Sequence, residues 1–540
     1  LEVQVAARRS SAASQVPGAT GHLDWAQRHH SGAEVVLNAT ALAGDRSPWP
    51  EGQEAALGGR LVFDLALAQR PSKLLADAAE GGARTLPPMA MWRHQGAAQL
   101  GFFAGREETF AALRGLDAAD LADEPEAANA PISSGRREAL ELPCPGSKSM
   151  TQRALLIGGL SQGPREVTIR GALPCDDSRH LSAALASLGV ESQWRGDEVR
   201  LRPAQVLRAT PAPLVLGNAG TAVRFASCLS LLCEGPLTID GDARMRQRPL
   251  GPLLTALQNL GVAVDELGHP GCPPVRLHRR APTPERVSVD ASLSSQYASG
   301  LALVAPRLAS GLTLRLLGEG VSRPYLEMTL SMLQRAGAAA RWLDEDALRV
   351  EHGPCNSEEL EVEADWSSAS FLLGAGWLLR REVRIPHLPT AERSLQGDAV
   401  FATLLGELSR PGPRRFDLGA CPDLIAPLAA LALFARGSTS LEGAAHARVK
   451  ECDRVAVLAR ELRRLGAAIS ERDDGLAISP LPSELADAPA EGLCLRCEDD
   501  HRMAMAFALV GLRRRGLTVD NPACVSKSFP SFWQVLGRLS

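Results

Sequence analysis

One helix ending recurs through most of this chain and limits the folds open to it. Leu185-Ala-Ser-Leu-Gly189, Leu257-Gln-Asn-Leu-Gly261 and Leu333-Gln-Arg-Ala-Gly337 each place an apolar turn before a glycine, and further copies end at Gly406 and Gly466. Glycine in that place is expected at the C′ position, where the chain leaves a helix through the left-handed region and turns into a strand. The copies recur roughly every 60–76 residues, too long a period for a solenoid. A helix over 503–511 makes a sixth copy. The pattern predicts an α/β architecture of six duplicated units, three per lobe. Any α/β chain also contains some helix–Gly–strand junctions, and that plainer origin stays open at this point.

Composition narrows the function class. The chain of 540 residues carries 58 Lys+Arg against 62 Asp+Glu, with 45% apolar residues. Near-neutral balance excludes a bulk nucleic-acid or membrane-surface binder, which needs a strong basic excess. No apolar run reaches the ~18 residues of a spanning helix; the longest, over 424–435, contains Pro427 and reads as a core helix. The chain opens directly on a strand-like run over 1–6, with no basic and apolar leader, so it is expected to be cytoplasmic and a piece of a longer product. The 11 cysteines are scattered. The one C-x-x-C, Cys494 and Cys497, has no second pair at zinc spacing, so reduced thiols and no metal are expected.

Residues 116–138 are acidic, rich in Ala and Pro and poor in large apolar side chains, which marks a linker. Beyond it, polar clusters sit at helix starts. Pro145-Gly146-Ser147-Lys148-Ser149 feeds a helix in which Ser149 and Arg153 share a face. Helix N-termini favour anions, so Lys148, Ser149 and Arg153 can converge on one phosphate or carboxylate. This is not a Walker loop, because the Gly-Lys adjacency is missing. Gly217-Asn218-Ala219-Gly220-Thr221 leads into an apolar helix over 222–233 with Arg224 in its first turn. Arg448-Val-Lys450-Glu451-Cys-Asp453-Arg454 and Asp499-Asp500-His501-Arg502 open two more helices. Arg244-Met-Arg246-Gln-Arg248, Ser294-Ser295-Gln296-Tyr297, Ser322-Arg-Pro-Tyr325 and Ser526-Lys527-Ser528 add cations and hydroxyls. Any one cluster can be a solvated helix end. Their number in a near-neutral chain points instead to one cleft holding a multiply anionic ligand set. Asp423 precedes a wholly apolar helix, either as its N-cap or as a site carboxylate. With Glu451 it forms an acid pair suited to proton transfer.

At these residues the chain resembles the EPSP synthase (3-phosphoshikimate 1-carboxyvinyltransferase) family, over about 139–540. Asp365-Trp-Ser-Ser-Ala-Ser and Asp500-His-Arg-Met-Ala-Met complete eight motifs in order. The resemblance implies a two-lobed enolpyruvyl transferase fold of six βαβαββ units, with lobes at 146–363 and at 139–145 plus 364–540. It implies that shikimate 3-phosphate is held by Lys148, Ser149, Arg153, Ser294, Ser295, Gln296, Ser322, Tyr325, Asp423, His446 and Lys450. Phosphoenolpyruvate would meet Lys148, Gly220, Arg248, Gln296, Arg454, Arg502 and Lys527. Asp423 would accept the proton of the attacking hydroxyl, and Glu451 with Lys450 would protonate the methylene carbon. No cofactor is implied, and the transferase domain is expected to be monomeric. His446 stands where many members have Asn, and Phe225 where many have Pro. Residues 1–115 resemble the nicotinamide-binding half of shikimate dehydrogenase. Its signs are Val36-Leu-Asn38-Ala-Thr40, Leu61-Val-Phe-Asp64, Met91-Trp-Arg-His-Gln95 and Arg8. The Gly-rich fingerprint is missing and Pro87-Pro88 and Ala90 depart from the pattern, so a partial Rossmann-like segment is expected. The alternatives are a UDP-N-acetylglucosamine enolpyruvyl transferase and an inactive anion-binding scaffold.

Arginine has displaced lysine almost throughout: only Lys73, Lys148, Lys450 and Lys527 are lysines. Three of the four lie in the cleft motifs, where a compact ammonium does what a planar, permanently charged fork cannot. Lys148→Arg is therefore expected to lower turnover roughly 100-fold; near-normal steady-state rates would show the lysine to be incidental.

Overall fold

The computed structural model describes residues 139–318 and 322–539, together with five short strands nearer the N-terminus. The chain divides into two compact units, Leu1–Ser134 and Gly135–Ser540. In the first, Gln4–Ala7 pairs in parallel with Gly21–Asp24, and Val35–Asn38, Leu61–Asp64 and Arg84–Leu86 form a parallel ladder. Arg8, Lys73, the Met91 motif and the expected linker over 116–138 lie outside the described residues.

In the second unit, four four-stranded sheets share one strand order. In the sheet of Leu214–Val215, Leu237–Asp240, Val275–Arg279 and Val262–Glu266, the first pair is parallel and the next two pairs are antiparallel. Arg286–Asp290, Leu312–Leu317, Ala347–Val350 and Ala340–Trp342 repeat it. So do Arg414–Asp417, Thr439–Glu442, Gly475–Ile478 and Ile469–Arg472. The parallel pair needs a helical crossover, whereas the last two strands need only a hairpin. This is βαβαββ. In the fourth sheet the edge strand Glu359–Glu361 comes from far along the chain to pair with Val167–Arg170. Two further parallel pairs, Leu140–Glu141 with Val383–Arg384 and Cys494–Leu495 with Thr518–Val519, keep the crossover without the hairpin.

The helix endings behave as their glycines dictate. Gly189, Gly261, Gly337 and Gly466 all take positive φ, at 104°, 87°, 97° and 88°. Gly406 does not end its helix: Phe401–Leu408 runs past it, and the left-handed exit falls at Gly412, φ 101°. The helix expected over 222–233 is shorter, Gly220–Cys228, because Cys233–Glu234 pairs with Leu207–Arg208 as a strand. The helix expected over 503–511 begins two residues earlier, as His501–Gly511.

Buried apolar side chains gather into two cores. One spans Met150 to Val362; the other takes Leu142 and then Trp366 to Leu539. The chain crosses between them twice, and the crossing segments bond to each other. Ser147 N donates to Glu363 O and Asp365 N to Pro145 O, both at 2.8 Å. Gly146 lies in this crossing with no room for a side chain, since a Cβ would stand 1.7 Å from the Gly171 carbonyl oxygen. Among the described residues no helix is long and apolar enough to cross a membrane.

Backbone, unlike a flexible side chain, cannot step aside. Gly146→Ala is expected to cost roughly 3 kcal/mol or more, the upper end of overpacking, read as a lower urea midpoint of the full chain. Gly196, φ 62° with open space around it, should cost only the left-handed penalty of about 1–2 kcal/mol on the same change. Equal midpoints for the two variants would refute the steric argument.

Candidate active site

Six helices bring their first turns to one cleft between the two cores. Lys148–Gly159, Gly220–Cys228, Gln296–Val304 and Arg323–Arg335 come from the first; Arg454–Arg463 and His501–Gly511 come from the second. Their starts supply Lys148, Ser149, Gly220, Thr221, Ser295, Gln296, Ser322, Tyr325, Arg454, His501 and Arg502 to its wall. No N-cap side chain bonds to the first-turn amides of the first four, although at the third Ser294 Oγ accepts from Gln296 N at 3.3 Å. Their free N–H groups and dipoles therefore favour negative charge in the cleft. Arg248, Ser294, Asp423, His446, Lys450 and Glu451 complete the wall, with Asp177 and Leu293.

Charge on the wall is unequal. Lys148, Arg248, Lys450, Arg454 and Arg502 face three carboxylates, Asp177, Asp423 and Glu451, an excess of two positive charges. The two histidines do not add to it. Burial, then Lys450, pushes His446 down to about 4. Burial, then Lys148 and Arg502, holds His501 well below the usual histidine range. Both imidazoles are neutral at pH 7.

The carboxylates and cations are locked in a continuous network. Arg454, 2% exposed, donates from Nη1 to Asp423 Oδ1 at 2.7 Å and from Nη2 to Glu451 Oε2 at 2.9 Å. Its Nε donates to Asp500 Oδ2 at 2.7 Å. Arg502 Nη2 reaches Asp423 Oδ2 at 3.0 Å, and Lys527 Nζ lies 3.2 Å from Glu451 Oε1. Burial alone would raise the pKa of Asp423, but Arg502, Lys450 and Arg454 outweigh it and hold the carboxyl far below its usual range. Glu451 is likewise held low against burial by Lys527, Arg454 and Arg248. Lys148 pairs with Asp177 at 3.0 Å. Against burial, Asp177 and then Glu451 raise its pKa. Lys450 goes the other way, because burial lowers its pKa by more than Asp423 and Glu451 restore.

Contacts across the cleft draw the two cores together. Arg244 Nε donates to Glu451 O at 2.9 Å, Lys527 Nζ to Asn218 O at 2.8 Å, and Tyr325 Oη to Asp423 Oδ2 at 3.4 Å. Asp423 is not the N-cap of the following helix. It sits in the turn Pro422–Leu424 and caps nothing.

Of the seventeen expected site residues, Glu451 included, two stand off the wall. Arg153 is 1% exposed and fully engaged behind it. It donates to Thr329 Oγ1, Ser149 O, Ser299 Oγ and Tyr325 O, at 2.8–3.2 Å. The shared helix face with Ser149 turns Arg153 into the first core, where it holds the Tyr325 backbone. Lys527 is off the wall, its Nζ held between Glu451 Oε1 at 3.2 Å and Asn218 O at 2.8 Å. The other fifteen line the cleft. Asp177, Thr221, Leu293 and His501 were not singled out from sequence. His501 had a signal, since it sits inside a cluster already marked as a helix start. Asp177 had a weaker one, the Asp176-Asp177 pair opening a helix. Among the described residues no group of three or more His, Cys, Asp or Glu is placed to hold a metal. All 11 thiols are free, and Cys497 Sγ lies 3.0 Å from Asp520 Oδ1 rather than beside Cys494.

A family model described as EPSP synthase (3-phosphoshikimate 1-carboxyvinyltransferase) matches residues 135–536. The 3-phosphoshikimate 1-carboxyvinyltransferase of Thiobacillus denitrificans is 37% identical over 419 residues, 73% of this chain and 96% of the relative. Among solved structures, EPSP synthase from Acinetobacter baumannii superposes with a TM-score of 0.61 at 23% identity, covering 74% of this chain and 95% of that one. The enolpyruvyl transferase NikO from Streptomyces tendae gives 0.54 at 17%, covering 75% and 94%. At those identities the solved structures speak for the fold alone.

Gly220 lies against two arginines of the cleft side: a Cβ there would stand 2.7 Å from Arg224 Nη1 and 2.7 Å from Arg248 Nη2. Guanidinium tips can swing away, so the fold should survive and the anion contact should not. Gly220→Ala is expected to weaken inorganic phosphate binding about tenfold, a loss of roughly 1.4 kcal/mol. Calorimetric titration checks it, and unchanged affinity would free Arg248 from this role.

Proposed function

The chain belongs to the EPSP synthase (3-phosphoshikimate 1-carboxyvinyltransferase) family, and from that premise we propose how its cleft works. The enzyme transfers the enolpyruvyl group of phosphoenolpyruvate to the 5-hydroxyl of shikimate 3-phosphate. The products are 5-enolpyruvylshikimate 3-phosphate and phosphate, on the route to chorismate and aromatic amino acids.

The observation that carries the residue assignment is the cationic excess of the wall. Both substrates are polyanions, and a closed cleft of low dielectric strengthens every pairing with them. Shikimate 3-phosphate is assigned to the first-lobe wall, with Lys148, Ser149, Ser294, Ser295, Gln296, Ser322 and Tyr325. Asp423, His446 and Lys450 hold its ring from the other side. Phosphoenolpyruvate is assigned to Arg248, Arg454 and Arg502, with Gly220 allowing close approach, Gln296 bridging the two ligands and Lys527 completing the cluster. Arg153 acts indirectly, by fixing Tyr325.

The ion pairs suggest how the acid and base are activated. A carboxylate held by Arg454 and Arg502 is a poor base. An anionic substrate competes for those arginines, and as they turn to it Asp423 regains the basicity to accept the 5-hydroxyl proton. The hydroxyl oxygen attacks C2 of phosphoenolpyruvate, while C3 takes a proton from Glu451. Glu451 starts ionised, so its proton arrives through the neighbouring ammonium groups of Lys450 and Lys527. Glu451, ionised again by that transfer, then takes a proton back from C3, the C–H electron pair forms the C2–C3 double bond, and the C2–O bond to phosphate breaks, which leaves the enolpyruvyl ether and inorganic phosphate. Lobe closure keeps water out. The transferase is taken to act as a cytoplasmic monomer. Residues 1–115 are read as a partial shikimate-dehydrogenase-like segment fused through 116–138.

Phosphate release from phosphoenolpyruvate is expected with shikimate 3-phosphate as acceptor and not with UDP-N-acetylglucosamine. Asp423→Ala and Glu451→Gln should each keep phosphoenolpyruvate binding and lower kcat roughly 10²–10⁴-fold. Release with neither acceptor would defeat the enzyme reading; unchanged kcat in either variant would remove that residue from the mechanism.

A further inference from the structure

Arg454 is one cation held by three carboxylates, and they are not equivalent. Asp423 and Glu451 belong to the cleft wall, whereas Asp500 lies behind it, 0% exposed. Asp500 performs two tasks at once. Its Oδ2 accepts from Arg454 Nε at 2.7 Å, and its Oδ1 accepts from the backbone N–H of Arg502 at 2.8 Å, capping the helix His501–Gly511. Arg454 Nη2 adds a longer contact to Oδ1 at 3.4 Å, and the Cys452 thiol donates to Oδ2 at 3.6 Å.

The approach to Asp500 is constrained. Glu498 and Asp499 both take positive φ, 52° and 56°, a conformation that costs non-glycine residues energy unless the surroundings impose it. Asn521 Nδ2 donates to Asp499 Oδ1 at 2.7 Å, tying this turn to the segment Pro522–Lys527 that carries Lys527.

We propose that Asp500 is a positioning residue for phosphoenolpyruvate, one buried carboxylate that aims Arg454 into the cleft while it caps the helix from which Arg502 projects. The inference rests on the assignment of those arginines to phosphoenolpyruvate. When the substrate enters, it displaces Asp423 and Glu451 from Arg454 because all compete on the cleft side. Asp500 competes little, since its short bond is to Nε from behind and its contact to Nη2 is long, 3.4 Å, and so the Nη groups stay pointed at the ligand. Without that grip Arg454 would stay with its remaining carboxylates and meet the substrate badly.

Steady-state kinetics on the full chain test this. Asp500→Asn keeps an oxygen to cap Arg502 and removes the charge that grips Arg454. It should raise KM for phosphoenolpyruvate at least tenfold and shift KM for shikimate 3-phosphate less than threefold. In an Arg454→Lys background, where no Nε remains to grip, the same change should have less than a threefold effect on KM for phosphoenolpyruvate. Equal shifts in both KM values, unchanged KM values with only a lower melting temperature, or full additivity with Arg454→Lys would overturn the proposal. If Asp500→Asn fails to fold, ¹⁵N spectra of the wild-type arginines decide. The Arg454 Nε signal should hold its position on addition of phosphoenolpyruvate while the Nη signals move, and a comparable Nε shift would overturn it. Wild-type turnover of the two substrates, measured alongside, reports on the enzyme reading separately.

Discussion

The organisation of the second unit depends on one buried guanidinium. Arg454 is 2% exposed and bonded to Asp423, Glu451 and Asp500, residues from three separate stretches of chain. An isolated charge there would be prohibitively costly, and breaking a buried pair leaves an uncompensated charge. The protein resolves this with an extended network, in which Arg502 and Lys527 share the surplus carboxylate charge. Its outer bonds, on the cleft side, are of the kind an anion can replace. Arg454 and Arg502, which neutralise Asp423 and Glu451, thus also face the cleft as partners for an anion.

That network needs two lobes held in register. The crossing near Gly146 and Ala364, where the segments bond to each other and Gly146 abuts the Gly171 carbonyl, gives the lobes a short, tightly packed joint. From there the first core carries four helix starts to the cleft and the second carries two. Helix dipoles add to the charges of Lys148, Arg248 and Arg502 with no further side chain to desolvate. Few residues need to be placed with care, because each repeat presents its helix N-terminus in a similar way.

Much of this was legible in the residues themselves. Gly189, Gly261, Gly337 and Gly466 announced their helix ends because only glycine takes positive φ without penalty. Gly406 misled because a glycine inside a helix looks the same in one dimension, and the turn at Gly412 left no leucine signature. Arg153 misled for another reason. Spacing puts it on a face with Ser149, but spacing does not say whether that face meets the cleft or the core. His501 stood out only as part of a helix start and not as a wall residue, because a histidine's burial and neutrality cannot be read from its position in the chain.

What the sequence alone determined is local and periodic: a repeated α/β unit, charged helix starts, and three lysines retained where arginine is otherwise the rule. Dipoles, caps and left-handed glycines act over a few residues, so they can be read from order. Tertiary structure alone decided which of those charges meet. It brought Arg454 against carboxylates 31, 3 and 46 positions away in the chain, turned Arg153 inward, and set Asp500 behind the wall rather than on it. Coulomb energies and desolvation depend on distance in space and on burial, and neither is a property of sequence position.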